Sequence, residues 1–160
     1  MKQINLTTKI TVYSYEECTD IEKKLIDAAK QTTSNAYAPY SKFKVGAALL
    51  LSDGKIITGN NQENAAYPSG LCAERTAVFY ANSQFPDQKI EALAVAAYYN
   101  GDFTSELVSP CGSCRQVLLE VESRYQSPVK ILMYTNQNEV YVADSMSSLM
   151  PLSFDEKAFK

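Results

Sequence analysis

Three cysteines constrain this chain more than any other feature. Cys111 and Cys114 have the C-x-x-C spacing, and Cys72 lies far upstream in Cys72-Ala73-Glu74-Arg75. On a helix, positions i and i+3 share a face, so the thiolates of Cys111 and Cys114 can reach one metal ion. A fold that uses them must bring Cys72 to the same point. Three thiolates make an incomplete tetrahedron. The chain has no histidine to close it, and the fourth cysteine, Cys18, sits in a charged N-terminal stretch and is a poor candidate. A structural zinc normally takes four protein ligands, whereas a catalytic zinc keeps one place for water. Glu74, two residues from Cys72, stands where a proton shuttle for that water is needed.

The charge balance points the same way. Three thiolates around Zn²⁺ leave a net negative site, which is poor at acidifying water. Arg75, three residues after Cys72, and Arg115, directly after Cys114, are placed to donate hydrogen bonds to thiolate sulfur. Both cysteine segments read as helix openings, and the partial positive charge of a helix N-terminus lowers a thiol pKa. A bare C-x-x-C is also compatible with a structural zinc or a disulfide. The combination of C-A-E-R with P-C-x-x-C-R favours the catalytic arrangement.

At 160 residues the chain is expected to form a single domain, 1–160, with 1–14 as an N-terminal arm or an extra strand. No apolar run approaches a membrane-spanning length, and residues 1–5 lack the apolar stretch of a signal peptide. Four cysteines laid out as a metal site rather than as two pairs point to a reducing, cytoplasmic setting. The net charge of −3 argues against a surface built for a nucleic-acid backbone, which needs a basic stripe.

Along the chain, residues 3–15 mix β-branched and polar residues in partial alternation, the pattern of a short strand or ordered arm. Ser14-Tyr15-Glu16-Glu17 has the form of a capping box. Ile21, Leu25, Ile26, Ala28 and Ala29 then recur at helical spacing, which predicts an amphipathic helix to about Ser34. Residues 35–44 form an aromatic-rich loop. Strands are expected at 45–51 and 55–59, joined by the hairpin signal Asp53-Gly54, and at 90–99, 129–134 and 139–142. The link 135–138 is too short for a parallel crossover, so the last two strands are antiparallel. Helices follow Cys72, to about Asn82, and Pro110, to the break at Pro128. The architecture is an α/β three-layer α/β/α sandwich on a five-stranded mixed sheet, with the two cysteine helices side by side and their N-termini together. Asn60 to Asn64, a cluster of amides and a carboxylate at a strand end, reads as a solvated loop or as a grip for sugar hydroxyls.

These segments resemble one family. Residues 38–49 (APYSKFKVGAAL), 59–65 (GNNQENA), 72–77 (CAERTA) and 110–118 (PCGSCRQVL) are similar to the zinc-dependent cytidine deaminases of the small, homotetrameric, free-nucleoside type. The resemblance spans roughly residues 25–154. It implies a cytidine deaminase-like fold holding one Zn²⁺ per chain. The implied ligands are Cys72, Cys111 and Cys114, with Glu74 as the proton shuttle and Arg75 partly neutralising the thiolates. It implies further that Asn61 and Glu63 bind the ribose 3′-hydroxyl, that Phe43 lies near the nucleoside, and that the backbone N–H of Ala73 contacts the base. Phe154 would reach a neighbouring subunit's site, giving a homotetramer with shared active sites. The activity implied is hydrolytic deamination of cytidine, and of 2′-deoxycytidine, to uridine or deoxyuridine plus ammonia, a step of pyrimidine salvage. The implied partners are small nucleosides, with no nucleic-acid polymer and no membrane. The alternative is a related deaminase acting on another aminopyrimidine nucleoside, such as a nucleoside antibiotic. Pro68-Ser69-Gly70-Leu71 and the long arm before Ser14 depart from the commoner pattern.

Overall fold

The computed structural model describes residues 1–159. Among these, three helices pack on the two faces of one seven-stranded sheet. The strands are β1 (Thr11–Ser14), β2 (Lys44–Leu51), β3 (Ile56–Asn60), β4 (Ile90–Tyr99), β5 (Asp102–Phe103), β6 (Lys130–Tyr134) and β7 (Glu139–Ala143). The helices are α1 (Asp20–Thr32), α2 (Ala73–Gln84) and α3 (Gly112–Tyr125). The sheet order is β1-β7-β6-β4-β2-β3, with β5 folded back on β4. Only β4 and β6 run parallel, and α3 is the crossover that a parallel pair requires. The pairing of β6 with β7 is antiparallel, as the four-residue link dictates.

All five expected strands are present, so the mixed α/β sheet stands, with two short strands added at its margins. β1 pairs with β7, which takes Thr11–Ser14 out of the arm and into the sheet. β5 forms because Asn100 and Gly101 adopt positive φ (52° and 95°) and turn the chain back on β4. The first helix begins later than the sequence pattern suggests. The Ser14 capping box is formed, but it closes only a short 3-10 turn. A second box, Thr19 with Glu22, opens α1 at Asp20. The hairpin between β2 and β3 turns at Asp53-Gly54, with Gly54 at φ 83°.

The side-chain period of two divides the core cleanly. Ala48, Ala92, Ala94, Ala96, Leu132, Val140 and Val142 face Leu25, Ile26 and Ala29 of α1. Ala47, Leu49, Leu93, Val95, Ile131 and Met133 face α2 and α3 through Ala77, Val78 and Leu118. The small residues of β4 on the α1 side let that helix lie close. On the other side, Gly59 lets α2 lie directly on β3. A Cβ there would come within 2.5 Å of Ala77 N and 2.7 Å of Ala73 O. The first turn of α2, which carries Glu74, therefore rests on strand backbone. Residues 1–10 extend outside the sheet and are mostly exposed, with one tether from Thr8 Oγ1 to the carbonyl of Ser148 (2.6 Å). No helix among the described residues is long and apolar enough to cross a membrane.

Candidate active site

Two helix N-termini and one strand-end loop converge on a single point. Cys72 is the N-cap residue of α2, and Cys111 is the N-cap of α3. Neither thiol caps its helix with a hydrogen bond, so both sulfurs are free for other work. Cys114 lies three residues on, in the first turn of α3, and is fully buried. The sulfurs of Cys72, Cys111 and Cys114 lie within 4.8 Å of one another. Cys72 Sγ is 3.8 Å from Cys111 Sγ, which is 3.5 Å from Cys114 Sγ. Among the described residues no further cysteine and no carboxylate joins this group. Cys18 is buried in the opposite layer, against α1, so the sheet separates it from the site.

The donor set fits zinc. Three soft thiolates at this spacing suit a borderline-soft cation, and three protein ligands leave one position open. The protons on the cluster are unevenly held. The Cys72 thiol is brought down to about 5, chiefly by a hydrogen bond from Cys114, with burial opposing and Arg75 and Cys111 assisting. The Cys114 thiol is pushed up by the same hydrogen bond and by burial. Arg75 Nη2 donates to Cys72 Sγ at 3.7 Å, and Arg75 Nε is buried with no partner among the described residues. Metal binding has to displace the remaining thiol protons.

Glu74 is the second residue of α2 and only 5% exposed. Burial pushes its carboxyl up to about 7, opposed by its own backbone N–H. A group that gains or loses its proton near neutrality suits proton transfer. Ala73 beside it is fully buried at the first helical position, where the N–H has no partner within the helix.

A cleft of about 520 Å³ opens at Cys72, lined also by Tyr40, Ser41, Asn61, Glu63, Tyr67 and Arg75 among others. Its wall is laced together by backbone. Gln62 exchanges two hydrogen bonds with Leu71, the residue before Cys72, and Glu63 N donates to the Tyr37 carbonyl. The predicted sugar-reading pair lies in this wall with much of its capacity already engaged. Asn61 Oδ1 accepts from Val45 N (2.8 Å), and its Nδ2 donates to the Phe43 carbonyl (2.9 Å). Glu63 accepts from Tyr40 N (3.0 Å), Ser41 N (3.3 Å) and the Ser41 hydroxyl, which holds its pKa down. A carboxylate offers about four lone-pair sites and a primary amide carries a second N–H, so each residue keeps capacity for a ligand.

Not every predicted residue converges. Phe43 packs against Tyr99, ring centroids 5.8 Å apart, instead of lining the cleft. Phe154 lies outside this chain's own cleft, 61% exposed, against the ring of Phe159. Arg115 departs from the expectation that it serves a thiolate. Its Nε donates to the Pro110 carbonyl (2.7 Å), Nη1 to the Leu149 carbonyl (2.8 Å) and Nη2 to Ser109 Oγ (2.8 Å). The guanidinium has been drawn to partly buried acceptors that adjacency to Cys114 could not reveal. Tyr67, on the cleft wall and 6.2 Å from the ring of Tyr40, was not singled out from the sequence. Its signal was the unusual 68–71 stretch that follows it.

Comparison with known proteins agrees with this geometry. The family profile of the cytidine and deoxycytidylate deaminase zinc-binding region matches residues 19–127. A cytidine deaminase of Halalkalibacterium halodurans is 42% identical over 130 residues, covering 81% of this chain and 91% of the relative. A cytidine deaminase of Sporosarcina psychrophila is 52% identical over 101 residues, covering 63% of this chain and 69% of the relative. The crystal structure of a cytidine deaminase from Burkholderia pseudomallei superposes with a TM-score of 0.71 at 40% identity, covering 82% of this chain and 98% of the other.

Proposed function

The chain belongs to the cytidine and deoxycytidylate deaminase zinc-binding family, and from that premise we propose how its own residues carry the reaction. It is a zinc-dependent hydrolase that deaminates cytidine to uridine and ammonia, as the names of its relatives at 42% and 52% identity indicate. Those names do not favour the nucleoside-antibiotic reading. Cys72, Cys111 and Cys114 hold the zinc. When bound, the ion supplies a Lewis acid that makes water nucleophilic near neutral pH.

The protein's own residues supply the rest. Glu74 takes one proton from the attacking water and delivers it to N3 of the pyrimidine, which makes C4 electrophilic. The water oxygen forms its bond to C4. Glu74 then carries the second proton to the 4-amino group, the C4–N bond breaks, and ammonia leaves. A carboxyl that titrates near 7 can act in both directions at physiological pH. Ala73 N–H holds the base from the helix N-terminus, and Arg75 offsets the thiolate charge through Cys72. Asn61 and Glu63 hold the ribose 3′-hydroxyl, and Phe43 backs the sugar loop through the Asn61 amide. 2′-Deoxycytidine carries the same 3′-hydroxyl and is a substrate on this reading.

The same reading makes 1–160 one domain, its last residue lying outside the described part, and places the protein in the cytoplasm as a homotetramer. Phe154, exposed on its own chain, completes a neighbour's cleft. The observation that carries the proposal is the convergence of three sulfurs within 4.8 Å beside a buried carboxylate. The test is uridine formation from cytidine by zinc-loaded protein, measured beside chelator-treated protein. Turnover that is absent when zinc is bound, or undiminished when it has been removed, would sink the reading.

A further inference from the structure

Arg115 and Gln116 follow the second and third cysteines in the first turn of α3, and both reach to the C-terminal tail. Arg115 Nη1 holds the Leu149 carbonyl at 2.8 Å. Gln116 Nε2 holds the Phe154 carbonyl at 3.0 Å. The remaining guanidinium nitrogens hold Pro110, the residue before Cys111, and Ser109. One arginine thus bonds to the approach to the metal site and to the root of the tail together. Hydrogen bonds from a charged guanidinium are among the stronger ones, and three from one rigid fork set its position.

We propose that Arg115 and Gln116 are positioning residues that couple zinc binding to docking of residues 149–154, so that each stabilises the other. The proposal rests on Cys72, Cys111 and Cys114 as the zinc ligands. The first turn of a helix lacks internal partners for its leading N–H groups and is prone to fray. Zinc clamps Cys111 and Cys114, which are the two ends of that turn. Clamping them fixes the backbone from which Arg115 and Gln116 project, and so orders the carbonyls they hold. In the other direction, the docked Leu149 carbonyl keeps the guanidinium aligned on Pro110. That pre-organises Cys111, the most exposed of the three ligands. By linkage the two effects are one coupling and must be equal. The tail carries Phe154, so the same coupling ties metal loading to the order of the segment that reaches a neighbour.

Hydrogen exchange of the full-length parent, zinc-loaded and metal-free, reads the tail directly. Amides in 149–154 should exchange about tenfold more slowly with zinc, within the usual range of coupling factors. Gln116→Leu and Arg115→Lys keep bulk or charge but lose one or more of these hydrogen bonds. Each should weaken zinc binding several-fold in competition with a chromophoric chelator, although no ligand is altered, and should shrink the zinc-dependent protection of the tail. Tail exchange indifferent to zinc in the parent overturns the coupling and needs no variant. Unchanged zinc affinity in both folded variants overturns it as well. A parent chain that binds no zinc, or a Cys111→Ser chain that binds it as tightly as the parent, would instead refute the ligand assignment beneath it.

Discussion

At the scale of single residues, burial decides what Glu74 can do. A carboxyl so enclosed is held near 7 because the charged form loses its solvation. Glu74→Gln keeps size and polarity and removes the titrating group, and a neutral amide is no harder to bury than a neutral acid. The expected outcome is a folded, zinc-loaded protein whose kcat falls by about 100-fold or more, the usual scale for a lost general acid–base group. Metal analysis beside steady-state kinetics checks it, and near-normal kcat with full zinc would remove Glu74 from the mechanism. The three sulfurs and this carboxylate were legible in the sequence because metal ligation restricts residue type and helical spacing is local. The use of Arg115 was not legible. Its acceptors include Leu149, 34 residues away, and adjacency to a ligand says nothing about the direction of a long side chain.

At the scale of elements, α2 is seated by a missing side chain. Gly59→Ala would press a methyl into the backbone of Ala73 and Ala77, and overpacking of this kind costs about 1–3 kcal/mol. Because Cys72 and Glu74 sit at that end of α2, zinc content should fall along with thermal stability. Retention of both would show that the helix can shift at no cost. On the other face, α1 is tied to β6 by Glu22 Oε1 and Lys130 Nζ at 2.5 Å. Burial pushes the Glu22 carboxyl up, but the hydrogen bonds from Lys130 and Thr19 outweigh it and leave the pKa lowered. The Lys130 ammonium is raised, first by its hydrogen bond to Glu22. A lowered carboxyl contributes stability above its unfolded value, about 4.3, which is lost as pH falls through the folded value. A raised lysine contributes below about 10.4, and that is lost as pH rises through its folded value. Glu22→Gln should therefore be less stable than the parent at neutral pH. The gap should close in acid below the glutamate range, and again in alkali above the lysine range. Denaturant midpoints across pH give the answer, and a gap independent of pH would refute the ion pair as its source.

At the scale of the whole molecule, the sheet sorts the chemistry to one side. Both cysteine helices lie on one face, and α1 with Cys18 lies on the other. The tail then leaves the cysteine face with Phe154 exposed and its backbone held by Gln116. A large apolar ring held there by its backbone suits insertion into another copy, and closed symmetry would satisfy every copy equally. Phe154→Ala should raise KM for cytidine by about tenfold, the effect of losing roughly 1.4 kcal/mol of contact, with zinc content unchanged. Light scattering at micromolar concentration should report a tetramer for the parent. A fully active monomer, or an unaltered KM in the variant, would refute the shared site.

The amino-acid sequence by itself determined the parts whose information is local. The C-x-x-C turn follows from helical periodicity, the buried strands β2 and β4 from their continuous apolar runs, and the β2–β3 hairpin from Asp53-Gly54. Likewise Thr19 and Glu22 cap α1 through a spacing of three residues, although the similar spacing at Ser14 pointed to an earlier start. Tertiary structure decided what depends on partners distant in the chain. Asn61 and Glu63 are engaged by residues 40–45 as well as being available to a ligand. β5 exists because its edge meets β4, and Arg115 serves the tail and the Pro110 loop instead of sulfur. The reason is common to all three. A polar side chain or a short strand satisfies whichever donor or acceptor packing brings within about 3 Å, and sequence spacing does not carry that distance.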